Sequence, residues 1–324
     1  MKILPLAFDS FGTRSMSTFV KTEDVSILID PGTSLAPIRS GYPPHPIELK
    51  RLDEHWKDIT EFAKKSDILI VTHYHFDHFN PFENLEIYEG KTVLVKHPTE
   101  KINYSQKGRA AFFLEQIKDL PKKLEYADGK EFKFGETRVK LSQPVFHGTN
   151  PRLGFVFEVL IDDGEYKFIH SSDVEGPSQQ DQVDFILQNK PNLVFLDGPL
   201  SYMMYRFGVK AMESSVKNMI KILESCPLDA LIVDHHFLRD LRWKEKISEV
   251  FKAAEKKKVE VKTSAEFVGK KTEMLEAHRK ELYQKYPEMK IETTKKILED
   301  NTMKKPFFPY QFRENQEEAV DFII

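Results

Sequence analysis

Ile68-Leu69-Ile70-Val71-Thr72-His73-Tyr74-His75-Phe76-Asp77-His78 decides how this chain is read. Four consecutive apolar, largely β-branched residues have the length and composition of a buried strand. Directly behind them, four groups able to bind a metal arrive within six residues. A turn leaving a strand can fold imidazoles and a carboxylate around one point, and Zn²⁺ and other borderline divalent ions accept those ligands. Without a cation, three imidazoles and a carboxylate in contact would cost several kcal/mol in desolvation and mutual repulsion. The stretch therefore predicts a metal centre at the end of a buried strand, with metal-assisted hydrolysis as the implied chemistry.

One such cluster cannot close two metal sites, so further ligands are expected at later strand ends. His147 follows Gln143-Pro144-Val145-Phe146, Asp173 follows Phe168-Ile169-His170-Ser171-Ser172, and His235-His236 follow Leu231-Ile232-Val233-Asp234. Each stands where a strand hands over to a loop, the arrangement by which one edge of a sheet collects functional groups. His45, His55, His97 and His278 lack that setting and read as capped or surface histidines.

The flanking pattern is α/β. Val25–Ile29 ending at Asp30-Pro31-Gly32, Lys91–Val95 and Arg138–Leu141 read as strands. Phe155–Ile161 runs into Asp162-Asp163-Gly164 and on to Tyr166–Ile169, a hairpin signal. Asn192–Leu196 and Ala230–Val233 are continuously apolar, as strands covered on both faces are. Leu49, Leu52, Trp56, Ile59, Phe62 and Ala63 share one helical face, as do Val216, Met219, Ile220 and Leu223. The Pro-rich stretch from Ala36 to Pro46 cannot be helix or central strand; it reads either as a lid over the metal site or as a rigid surface connection.

The 324 residues, with 48 Lys+Arg against 51 Asp+Glu and a net charge of −3, give no bulk attraction to nucleic acid or anionic membrane. The single cysteine, Cys226, excludes an internal disulfide and a thiolate cluster, and reads as a buried hydrophobe near a helix end. No run suits a signal peptide or a membrane span, so a cytoplasmic protein is expected. Residues 1–270 read as one domain. Residues 271–324 read as an extension, with a Lys/Glu-rich helix from about Thr272 to Tyr286 and an aromatic, Pro-containing tail at 304–312, a candidate docking segment for a partner or a second copy.

Taken in order, Asp30, the His-x-His-x-Asp-His signature at 73–78, His147, Asp173 and a last histidine at 235 or 236 resemble the metallo-β-lactamase-fold superfamily, over roughly residues 1–270. Within it the chain is similar to an uncharacterised, largely archaeal family of predicted metal-dependent hydrolases. The resemblance implies a four-layer αββα sandwich with two divalent metals, zinc first and manganese or iron as alternatives, at one edge. His73, His75 and His147 would bind one metal and Asp77, His78 and the last histidine the other. Asp173 would bridge them, and Asp30 would steady the histidine loop from behind, with His170 a weaker candidate for the same task. His236-Phe237 is similar to the closing His-Phe of transfer-RNA-maturing relatives, which favours His236 over His235.

The implied reaction is hydrolysis by a hydroxide shared between the metals, with Asp77 orienting it or accepting its proton. A small phosphodiester or ester-type substrate is expected. The segment between Asp173 and His235 is too short for the insert domain of one group of nucleic-acid-cutting relatives, so a ribonuclease-like phosphodiesterase is less favoured. A redox di-iron protein of the same fold is a further alternative, but such relatives place Glu where His75 stands and carry a flavin domain. A module that kept the fold and lost its site is disfavoured by the complete ligand set. Arg152, Ser201, Tyr202, Tyr205 and Arg206 follow strands and are candidates to hold an anionic substrate, equally well read as surface residues.

Overall fold

A computed structural model describes residues 1–287. Its framework is two β-sheets. The first joins β1 (Lys2–Phe8), β2 (Met16–Lys21), β3 (Ser26–Ile29), β4 (Ile68–Val71), β5 (Thr92–Val95) and β6 (Lys123–Tyr126) in sequence order. The second contains β7 (Glu131–Phe134), β8 (Thr137–Leu141), β11 (Val159–Asp162), β12 (Lys167–His170), β13 (Leu193–Asp197), β14 (Ala230–Asp234) and β15 (Glu260–Lys262), ordered β15-β14-β13-β12-β11-β8-β7. Between β8 and β11 in sequence, β9 (Val145–Phe146) and β10 (Phe155–Val156) form a small separate ribbon. The expected single strand Phe155–Ile161 is thus broken: β10 pairs with β9, and β11 begins after Phe157-Glu158.

The period-two pattern divides each strand between two cores. On β4, Ile68 and Ile70 face the second sheet, where they share a core with Val139, Ile161, Phe168, Phe195 and Ile232. Leu69 and Val71 face outward to α1 (Pro46–Lys64) and α2 (Tyr104–Ile117), packing with Ile59, Ala63 and Phe113. Behind the second sheet, Val194, Leu231 and Val233 pack on α3 (Asp181–Asn189), α5 (Val209–Ser225) and α7 (Ser248–Lys257), with the short α4 (Met204–Phe207) preceding α5. The layers are α, β, β, α. Cys226 is buried at the end of α5.

Parallel pairing places the functional strand ends together. β3 and β4 run parallel, as do β12, β13 and β14. Residues at or just past their C-terminal ends, Asp30, His73, Asp173, Asp197 and His235, therefore gather at one edge of the sandwich.

The expected helix from Thr272 to Tyr286 is only partly formed. α6 (Trp243–Lys246) and α8 (Ser264–Phe267) are short, and α9 spans Arg279–Lys285 alone. Residues ahead of α9 are an irregular segment and a turn tied to the N-terminal half instead: Arg14 pairs with Glu276 at 2.7 Å and Arg51 with Glu273 at 3.1 Å. Met274 takes a positive φ of 49°, which helix cannot use. Glu273, Glu276 and Arg279 of this segment thus contact Arg51, Arg14 and Glu48. The aromatic tail at 304–312 lies outside the described residues.

The Pro-rich stretch is a pinned connection. His45 caps α1 by accepting from the Ile47 N–H, Glu48 returns a bond to the His45 N–H, and Pro46 fills the first helical position. The buried Arg279 donates to the carbonyls of Ala36 and Tyr42, while both oxygens of Glu48, each at 2.8 Å, neutralise it.

Candidate metal centre

Five of the predicted ligands, His73, His75, His78, His147 and His235, converge on a single oxygen. Asp173 Oδ2 lies 2.8 Å from His147 Nε2, 3.4 Å from His78 Nε2, 3.5 Å from His73 Nε2, 3.6 Å from His235 Nε2 and 4.0 Å from His75 Nδ1. Two four-residue donor sets share that oxygen's residue, His73, His75, His147 and Asp173 on one side and Asp77, His78, Asp173 and His235 on the other, and a smaller set joins Asp173 to Asp197 and His236. Within each set the donor atoms all fall within 4.8 Å of one another. His45, His55, His97 and His278 take no part in these sets.

The two candidates for the last histidine fall in different donor sets. His235, not His236, completes the second set, its Nε2 lying 3.7 Å from Asp77 Oδ2. The reason is backbone: His235 takes φ 60°, turning its side chain into the site, and its Nδ1 is tied to Asp9 Oδ2 at 2.8 Å. His236 joins the smaller set instead, with Nδ1 3.0 Å from Asp197 Oδ2 and 2.9 Å from Asp173 Oδ1.

Carboxylates behind the imidazoles choose the nitrogen that faces inward. Asp30 Oδ2 takes the Nδ1 side of His78 at 2.8 Å, as Asp9 does for His235, which leaves each Nε2 lone pair directed at the centre. Asp30 also accepts from the Thr72 N–H and hydroxyl, both at 2.8 Å. Thr72 Oγ1 is 2.6 Å from Ser172 Oγ, so one carboxylate organises the histidine loop and touches the Asp173 turn through a single hydroxyl. His170 stands behind that turn: its Nδ1 accepts from the Ser172 N–H and its Nε2 donates to the Met16 carbonyl. Gly32 lets the Asp30 turn lie against the motif, since an added Cβ would collide with the Phe79 backbone.

Strain marks the same place. Asp30, Ser172, Glu175 and His235 all have positive φ without being glycine. Such conformations persist where surrounding contacts over-determine them, and they concentrate at functional sites.

The electrostatics suit a cation. Burial holds His73 well below the ordinary imidazole value and brings His75 down to about 4, so both are neutral lone-pair donors. Burial opposes charge on His78 too, but the carboxylates of Asp77 and Asp30 outweigh it and call for positive charge there. His73 Nε2 and His78 Nε2 are buried without a hydrogen-bond partner among the described residues. Orphaned buried nitrogens facing a shared carboxylate fit a bound metal, because nothing else offsets their desolvation. His75 and Asp77 are the least buried donors and mark the open side.

Five residues at the centre went unseen in the sequence: Asp9, Thr72, Glu175, Asp197 and Arg239. Asp9 and Asp197 carry the signal that exposed Asp30, an aspartate at the end of an apolar run. Glu175 Oε1 lies 3.7 Å from His147 Nδ1 and 3.6 Å from Arg206 Nη2. Arg239 bonds Asp9 Oδ1 at 2.8 Å, and its Nη2 stands 4.0 Å from Asp77. Among the candidate anion holders, the Ser201 hydroxyl donates to Asp240, while Tyr205 and Arg152 are exposed.

An αββα sandwich with a His/Asp cluster at this edge is the framework of a metal-dependent hydrolase fold. The family model described as "Metallo-beta-lactamase superfamily" matches residues 11–245, and the chain belongs to that superfamily. Within it the chain groups with the UPF0282 proteins of archaea. It is 53% identical over 288 residues to the UPF0282 protein of Korarchaeum cryptofilum, covering 89% of this chain and 96% of that one. It is 45% identical over 294 residues to the UPF0282 protein of Methanocaldococcus jannaschii, covering 88% and 97%. A solved metallo-beta-lactamase fold protein, YhfI from Bacillus subtilis, is similar at 14% identity and a TM-score of 0.47, over 81% of this chain and 95% of that one. Among the described residues no helix is long and apolar enough to cross a membrane.

Proposed function

We propose that the protein is a hydrolase with two divalent metals, zinc by preference, acting on a small phosphodiester or ester-type substrate. The observation that carries this reading is the pair of donor sets meeting at Asp173 Oδ2. His73, His75 and His147 would hold one metal, Asp77, His78 and His235 the other, and Asp173 would serve both. When bound, such a pair lowers the pKa of a shared water and polarises the oxygen on which charge develops.

The chain's own residues do the rest. Asp30 and Asp9 fix the imidazole tautomers, so the donors meet the metals without reorganising. Asp77 lies on the open side, 3.9 Å from His78 Nε2, where its carboxylate can orient the attacking water or take its proton. Five imidazoles among the donors favour zinc over hard oxygen-seeking ions.

Metal analysis of the purified chain, paired with chromogenic phosphodiester, lactone and thioester substrates, tests the proposal. About two metals per chain and turnover of at least one class are expected. Absence of bound metal after incubation with zinc, or full loading of His73→Ala and Asp173→Ala, would overturn it.

A further inference from the structure

Three arginines converge beside Tyr202, next to the centre, and two of them are neutralised. Arg14 holds Glu276 with two nitrogens, at 2.7 and 2.9 Å, and Arg239 holds Asp9 at 2.8 Å. Arg39, whose charge also acts on Glu276, has no carboxylate within salt-bridge distance among the described residues. Its guanidinium lies 4.4 Å over the Tyr202 ring, and its Nη2 donates to the Arg239 carbonyl at 2.8 Å. One of five N–H donors is thereby used, and the charge is left over.

This surplus cation is held in place. Arg39 and Tyr42 exchange both backbone hydrogen bonds, at 2.9 Å each, around a turn with positive φ at Ser40 and Gly41. Arg279 fastens the carbonyls on either side, at Ala36 and Tyr42. A long, half-buried side chain with a free charge is normally left mobile; here a backbone bridge, an aromatic face and a carbonyl fix it in advance. Such preorganisation lowers the entropy lost when a ligand binds. Planar guanidinium stacked on an aromatic ring suits a two-oxygen anion.

We propose that Arg39, stacked on Tyr202 and backed by Arg239, is the subsite for a second oxyanion of the substrate, a carboxylate or phosphate on the part of the molecule that does not react. The proposal rests on the hydrolase reading of the adjacent centre. One anionic or ester group would meet the metals, past Asp77, and the other would meet Arg39.

Calorimetric titration of the zinc-loaded full chain with acetate, malonate, succinate, glutarate and phosphonoacetate tests it, with metal content measured on the same samples. At least one dianion should bind about tenfold more tightly than acetate, the size of effect one charge-assisted hydrogen-bond pair supplies. Arg39→Gln keeps a donor for the Arg239 carbonyl but removes the charge. That variant, like Arg39→Ala, should bring the dianion down to acetate while leaving acetate binding and metal content unchanged. Phosphonoacetate above malonate would assign the subsite to phosphate, and the reverse to carboxylate. No dianion exceeding acetate, or a preference that survives Arg39→Gln, overturns the subsite. Failure to take up zinc would instead count against the hydrolase reading, and a dianion preference abolished by Arg39→Gln in that same protein would still uphold the subsite.

Discussion

His235 Nδ1 lies 2.8 Å from Asp9 Oδ2, a contact that joins the end of β1 to the end of β14 and turns the other nitrogen of the ring toward Asp77 and Asp173. Its neighbour His236 hydrogen-bonds Asp197 through Nδ1, which also lies 2.9 Å from the far oxygen of Asp173. Elemental analysis separates the two. His235→Ala should fall from about two metals per chain to about one, while His236→Ala should keep both. Asp9→Asn should retain the ligand yet weaken the second site about 10–100-fold, the usual effect of losing the group behind a metal-bound histidine. Equal metal loss in both alanine variants would remove His235 from the ligand set.

Asp30 is fully buried and accepts from the Thr72 N–H, the Thr72 hydroxyl and the Nδ1 side of His78. Asp30→Ala leaves those donors unpaired and forces a φ of 51° on a residue that tolerates it poorly. A loss of about 3–5 kcal/mol in denaturant unfolding is expected, together with failure to retain metal. Asp30→Asn keeps the size and tolerates the backbone conformation, so it should recover part of the stability but not the metal affinity. A variant as stable as the parent would show that Asp30 organises nothing.

How much of this was legible depended on chain locality. The motif at 73–78 needed only one strand and one turn, and the layering followed from alternation on strands such as β4. Asp9, Asp197 and Arg239 went unassigned because their partners come from other strand ends, Asp9 meeting His235 and Arg239 only where the two sheets pack together. The choice between His235 and His236 turned on a backbone φ of 60°, which residue type does not announce for histidine. The helix expected from Thr272 failed because its Glu and Lys pattern looks the same whether the carboxylates face water or Arg14 and Arg51.

Acid should expose that last contact. Burial raises the Glu276 carboxyl, but Arg14 and the nearby Arg239 outweigh it and depress its folded-state pKa. A carboxylate depressed on folding contributes stability that is complete above its unfolded value, about 4.3, and is lost as pH falls through the folded value. At pH 7, Glu276→Gln should be destabilised by about 3 kcal/mol, since Arg14 keeps its buried charge without a partner. The gap between variant and parent should narrow as the pH is lowered past 4. Thermal melts at pH 7, 5 and 3 read this directly; a gap that widens in acid would reverse the sign of the assignment.

Removing metal should cost stability as well as activity. In the apo chain, His73 Nε2 and His78 Nε2 stay buried and unpaired, burial keeps His73 neutral, and the Asp77 and Asp30 carboxylates call for positive charge at His78 that a metal would supply. A ligand that binds only the folded state adds RT ln(1 + [L]/Kd), about 2.7 kcal/mol at a hundredfold excess over Kd. Chelator-treated protein should therefore melt lower than zinc-refilled protein, with a Tm that climbs with free zinc. Asp173→Ala should flatten that dependence, because both donor sets lose their common member. His97→Ala is the control: His97 accepts from the Thr99 and Glu100 N–H groups and lies outside both donor sets, so its zinc dependence should match the parent. A Tm that ignores zinc in the parent, or that responds equally in Asp173→Ala, would mean that the converging donors hold no metal in the folded chain.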